Sequence, residues 1–173
     1  MKEIRVYGDP VLRKKAEAVR DFDRHVAAFV AELTERMRTS DGVGLAAPQV
    51  GESVRIAVVD PTGGEQNPIV LVNPRITMRS DETENAEEGC LSVPDIRLKV
   101  TRPARVSVAA QNEKGEEFTI SEAGDLLARV LQHEIDHLDG ILFVDRVSPL
   151  QRQMVNGKLK KLAKSQKRRS AVA

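Results

Sequence analysis

Leu127, Val130, Leu131, Ile135 and Leu138 recur at the spacing of one helical face, and the same stretch carries His133-Glu134-Ile135-Asp136-His137. Residues four apart share a face of a helix, so both imidazoles can reach one metal ion. Glu134 stands beside them, where its carboxylate can take a proton from an attacking water. A catalytic metal normally has three protein ligands and one open position. Downstream of His137 there is no His and no Glu, and of the two remaining acids Asp139 lies too close along the same helix. The third ligand must therefore come from upstream. A chain that uses this helix must fold back so that a remote residue meets it, and no other feature constrains the fold as strongly. Cys90, the single cysteine, is the strongest candidate, because a thiolate suits a borderline-soft divalent ion. The plainer readings are a Cys that is only a small buried hydrophobe and His residues that are ordinary core or surface groups. Against them, two of the three His in the chain fall in this one motif.

The rest of the pattern predicts an α+β fold with antiparallel strands packed around a central metal-binding helix, plus an N-terminal and a C-terminal helix. Phe22, Val26, Phe29, Val30, Leu33 and Met37 predict an amphipathic helix over 23–39. Residues 41–51 read as a loop, Val54–Val59 as a buried strand, and 60–64 as a turn. Ile69–Val72 and Ile76–Met78 read as strands broken at Asn73-Pro74, and the acidic stretch 81–88 as a surface loop. Val106–Ala110 and Glu117–Ile120 flank Asn112-Glu113-Lys114-Gly115 as a β-hairpin. Ser121 is placed to cap the metal-binding helix and Gly140 to end it. Ile141–Val144 reads as a short strand, and Ser148-Pro149 as the start of a last helix. Residues 1–147 are expected to form one catalytic domain, and 148–173 a C-terminal helix and basic tail.

Charge separates those two parts. Nine of the 27 basic residues follow Asp145 and none of the 26 acidic ones do, so the first 145 residues carry a net charge of −8. A basic tail attracts phosphate-rich partners through counterion release; the alternative is a frayed, solvated end that touches nothing specific. No apolar run is long enough to span a membrane, and the opening Met1-Lys2-Glu3-Ile4-Arg5 is not followed by the apolar core of a signal peptide. One cysteine allows no internal disulfide, which favours a reducing, cytoplasmic setting.

Three separated segments resemble the motifs of the peptide deformylase family, in the same order. Gly42-Val43-Gly44-Leu45-Ala46-Ala47-Pro48-Gln49 is similar to G-x-G-L-A-A-x-Q, Glu88-Gly89-Cys90-Leu91-Ser92 to E-G-C-L-S, and Gln132–Gly140 to Q-H-E-x-D-H-L-x-G. Tyr7–Arg13 is similar to the family's N-terminal segment. The glycine motif also fits a dinucleotide fingerprint, but that needs a strand before it and a helix after it; here a helix precedes, and Pro48 and Gly51 oppose one following.

The resemblance implies removal of the formyl group from N-formyl-methionyl nascent peptides, with formate released. It implies that Cys90, His133 and His137 hold one divalent metal, in agreement with the ligand count. It favours Fe2+ in the cell, and the ligand types also admit Zn2+, Ni2+ or Co2+. Glu134 would act as general base and then general acid. The Gln49 side-chain amide and the Leu91 backbone N–H would stabilise the oxyanion. Val43 and Gly44 offer a strand edge on which an extended peptide can lie, next to Gly89, and Val43, Val130 and His133 are candidates to line a pocket for the methionine side chain. Gln132 and Asp136 adjoin the ligands and are candidates to orient them, and Glu88 could pair with Arg102 or Arg97 at the edge of the site. His25 reads as structural or exposed. The basic tail would dock the enzyme on a ribosome. Two competing readings are a zinc peptidase that cuts internal bonds, which lacks its usual downstream ligand here, and an RNA-associated protein working through the tail alone.

Overall fold

The computed structural model describes residues 2–170. Asp23 accepts hydrogen bonds from the backbone N–H groups of His25 and Val26 and so starts α1 (Arg24–Thr39), one residue inside the expected span. Seven strands follow: β1 (Gly44–Ala46), β2 (Ile56–Val59), β3 (Ile69–Arg79), β4 (Thr83–Cys90), β5 (Val93–Pro103), β6 (Val106–Gln111) and β7 (Glu117–Ala123). Then come α2 (Asp125–Leu138) and α3 (Pro149–Ser170). All strand pairs are antiparallel, in a five-stranded sheet ordered β1-β2-β3-β6-β7 and a two-stranded sheet β4-β5. The α+β class with its central helix stands.

Around β2 both faces of the larger sheet are covered, by α2 on one side and α1 on the other. Ala57 and Val59 of β2 pack with Leu131, Ile135 and Leu138 of α2. Ile56 and Val58, pointing the other way, pack with Val30, Leu33 and Met37 of α1. A third cluster joins Val93, Ile96 and Val100 of β5 to Phe143, Val144 and Leu159. Each fully buried aliphatic side chain of this kind contributes about 1.5–3 kcal/mol.

The structure corrects several local expectations. The stretch 81–88 is not a loop: Thr83–Glu88 pair residue by residue with Leu98–Pro103. The strand β5 had no counterpart in the sequence reading. Residues 41–51 contain β1 and a 3-10 turn, Ala47–Val50. Asn73-Pro74 does not end a strand. Asn73 takes a left-handed φ of 50°, the register shifts there, and β3 runs on. Ser121 lies within β7, and the residue before α2 is Gly124, which has no side chain to cap with. Ile141–Val144 is not a strand: Phe143–Asp145 is a 3-10 turn, and Leu142, Phe143 and Val144 are apolar because they lie in the third cluster.

The last helix starts at Pro149 as expected and is anchored rather than frayed. Leu159 is buried, Arg152 donates to the Tyr7 hydroxyl at 3.1 Å, and Gln166 donates to Asp9 at 3.2 Å. The final residues of the expected tail, 171–173, lie outside the described residues. No helix among the described residues is long and apolar enough to cross a membrane.

Candidate metal centre and active-site cleft

The two-stranded sheet and α2 face each other, and the remote cysteine meets the histidine pair between them. Cys90, His133 and His137 each offer one ligand atom, and these atoms lie within 4.8 Å of one another. Cys90 Sγ is 3.3 Å from His137 Nε2. The His133 Nδ1 faces Glu88 Oε2 at 2.9 Å, which turns the other ring nitrogen toward the cysteine side.

Glu134 is buried on the same turn of α2, and its Oε2 has no hydrogen-bond partner. A Cβ on Gly44 would lie 2.5 Å from Glu134 Oε1 and 2.8 Å from Val130 Cγ1, so only glycine allows β1 to pass this close to α2. Burial pushes the Glu134 carboxyl up to about 7, because a charge there is poorly solvated. Burial also opposes charge on His133, yet hydrogen bonds to Cys90 and Glu88 outweigh it and hold the ring well above its ordinary value. Burial and the neighbouring His133 hold His137 well below.

One thiol, two ring nitrogens and a partnerless buried carboxylate oxygen fit a borderline-soft divalent cation. The anionic surroundings that favour a proton on His133 favour a metal ion in its place.

Gln49 follows β1 and is buried. Its Oε1 accepts from the Ala46 backbone N–H at 2.9 Å, which aims Nε2 at Ser92 Oγ (3.3 Å) and Cys90 Sγ (3.6 Å). Leu91 sits in the turn between β4 and β5. Val43, Gly44, Gln49, Gly89, Leu91 and Val130 all line one cleft of about 630 Å³ together with Cys90, His133 and Glu134. His25 is exposed on α1, away from this site.

Two expectations change. Gln132 and Asp136 do not touch the imidazoles. Gln132 donates to the Pro103 and Ala128 carbonyls, and Asp136 pairs with Arg102 (2.8 Å) and Arg146 (2.7 Å). Glu88 does pair with Arg102, but inside the protein rather than at an edge, while Arg97 pairs with Glu87. The sequence reading missed the weight of Glu88: it accepts from His133, Arg102 and Arg129 together. Burial alone would raise its carboxyl, but the His133 and Arg102 contacts hold it at about 2. Arg129 is four residues before His133 on a largely buried helix, and that spacing was the available signal. Ser92, fully buried beside Gln49, had no signal beyond its place in the second motif.

Comparison with known proteins agrees with this geometry. The family model for polypeptide deformylase matches residues 1–153. A peptide deformylase of Thermotoga maritima is 46% identical over 168 residues, covering 97% of this chain and 100% of that protein. One from Acidobacterium capsulatum is 46% identical over 162 residues, covering 92% and 94%. Among solved structures, Arabidopsis thaliana peptide deformylase 1B in complex with an inhibitor superposes with a TM-score of 0.93 at 40% identity, covering 98% of this chain and 94% of that one. By sequence along almost its whole length and by fold, the chain belongs to the polypeptide deformylase family.

Proposed function

We propose that this chain is a metal-dependent hydrolase that removes the formyl group from the N-terminal formyl-methionine of nascent polypeptides and releases formate. The observation that carries the reading is the convergence of Cys90, His133 and His137 around a single point beside buried Glu134. Those three residues would hold one divalent ion. When bound, it supplies Lewis acidity, which lowers the pKa of water toward 7 and polarises a carbonyl. The reading takes Fe2+ as the ion used in the cell, with Zn2+, Ni2+ or Co2+ accepted by the same ligand types.

Glu134 serves as general base toward water and then as general acid toward the departing amine, a role worth roughly 10²–10⁴ in rate. A carboxyl near 7 is suited to both directions of transfer. The Gln49 Nε2 and the Leu91 N–H donate to the developing oxyanion; removing one such donor typically costs about 2.7–4 kcal/mol. The peptide lies extended along Val43 and Gly44 on one side and Gly89 on the other, pairing through its backbone. Val43, Val130 and His133 receive the methionine side chain. A formyl carbon carries only hydrogen, so the tight space at Gly44 and Glu134 favours formyl over acetyl.

Residues 1–147 do the chemistry in this reading, and 148–173 take no direct part in it. Lys158, Lys160, Lys161, Lys164, Lys167 and Arg168 are exposed on α3 and would dock the enzyme on ribosomal RNA in the cytoplasm, where formylated chains emerge.

The test is formate release by protein purified without oxygen and loaded with Fe2+. A formyl-methionyl peptide is expected to be hydrolysed, and the acetylated and unmodified peptides to be left intact. Equal turnover of the acetylated peptide, or cleavage of internal bonds instead, overturns the reading.

A further inference from the structure

Gln49 and Leu91 belong to different sheets. Gln49 follows β1 of the five-stranded sheet, and Leu91 lies in the turn of the β4–β5 pair. Two donors serve one oxygen only if their separation is fixed, since each must sit about 2.7–3.1 Å from the same atom.

The N-terminal segment crosses this seam. The Arg5 N–H donates to the Gln49 carbonyl at 2.7 Å, and the Tyr7 N–H donates to the Ser92 carbonyl at 2.8 Å. One short stretch of chain therefore grips both donor-bearing segments at a set spacing. The Gln49 Nε2 to Ser92 Oγ contact closes the same gap with side chains.

The far side of the stretch is held as well. The Tyr7 hydroxyl accepts from Arg152, and Asp9 accepts from Gln166 and from the Val11 N–H. A Cβ on Gly8 would lie 2.6 Å from Ala163 Cα, so the segment lies directly against α3.

The geometry points to Arg5–Tyr7 as a positioning strap that sets the spacing of the Gln49 and Leu91 donors through its main chain, without touching substrate. This rests on the deformylase reading. The test compares Arg5→Pro, which deletes the N–H, with Arg5→Ala, which keeps it. Displacing a reacting group by about 1 Å can cost 10²-fold, so kcat on a formyl-methionyl peptide is expected to be about 10- to 100-fold lower in Arg5→Pro than in Arg5→Ala. The KM and the metal-to-protein ratio are expected to agree between the two within about twofold. A chain shortened to begin at Val6 is expected to show the same split while retaining a cooperative thermal transition.

Equal kcat values in the two variants overturn the proposal, as does a change confined to KM. If Arg5→Pro and the shortened chain both lose metal or fail to fold, the segment serves stability rather than donor placement, and the proposal is again overturned. Wild-type protein inert toward the formyl peptide would instead remove the underlying reading, a separate result visible before any variant is made.

Discussion

Helices α2 and α3 treat charge in opposite ways. In α2, ten of 14 residues are buried, and these include Arg129, Gln132, Glu134, Asp136 and His137. In α3, a longer helix, only Leu159 and Gln166 are buried among the residues whose side chains are described, and its cations from Lys158 to Arg168 stand in water. A buried charge is tolerable only with partners. Accordingly, Arg102 and Arg129 flank Glu88, and Arg102 and Arg146 flank Asp136. Of the buried carboxylates on α2, Asp136 is fully paired while Glu134 keeps an oxygen without a partner, and it is the group to which the chemistry is assigned. A charge on α3 is worth little to the fold, since exposed ion pairs contribute about 0–1 kcal/mol. The lesson is that the two helices should fail differently when their charges are removed.

The largest expected break is Glu134→Gln. Turnover should fall by about 10²–10⁴ while metal content stays at the wild-type level, read by formate release and elemental analysis. The sign for stability is opposite. The folded carboxyl titrates at about 7, above its ordinary 4.5, so the protein binds more protons folded than unfolded between those values and loses stability as pH rises through them. Metal-free Glu134→Gln should therefore unfold at a higher temperature than wild type at pH 8. A lower transition would show that the buried carboxylate is not a destabilising charge.

Next comes Cys90→Ser, expected to lower metal retention by at least 10- to 100-fold, since a hydroxyl is a poor ligand for this kind of ion. Full metal occupancy after dialysis would place the third ligand elsewhere.

Glu88→Gln should cost about 3–5 kcal/mol at neutral pH, the usual penalty for breaking a buried pair on one side. Here the carboxyl sits at about 2, below its ordinary 4.5, so its contribution is present above 4.5 and is lost as pH falls toward 2. Wild type should lose stability over that range, and the variant's acid profile should be flatter. Parallel profiles would mean that Glu88 carries no net advantage.

The smallest effect belongs to α3. Replacing Lys160, Lys161 and Lys164 together by Gln should change unfolding free energy by no more than about 0.5 kcal/mol and leave turnover of a short peptide intact. Co-sedimentation with ribosomes should weaken and lose its salt dependence. Unchanged, salt-insensitive co-sedimentation would detach the tail from that role.

The same contrast explains what the sequence made readable. Helix α2 showed itself because five apolar residues share a face and two His share another. The hairpin β6–β7 showed itself because its turn residues interrupt alternating strands. Strand β4 did not, because Thr83, Glu84, Asn85 and Glu87 are exposed and its strand character comes from pairing with β5, which no hydropathy pattern records. Asn73 hid the continuity of β3, since a left-handed residue before proline reads as a stop. At the site, the three candidate ligands were legible by type and spacing. The partners of His133 and Asp136 were not, because Glu88, Arg102 and Arg129 come from three separate elements and meet only in the folded chain.

The chain's lone sulfhydryl has a practical corollary. Cys90 is only partly shielded and has no other thiol to compete with it. An alkylating dye therefore has a single address on this molecule, and that address is the cleft. Labelling stoichiometry becomes a direct gauge of how many molecules in a preparation have a vacant centre.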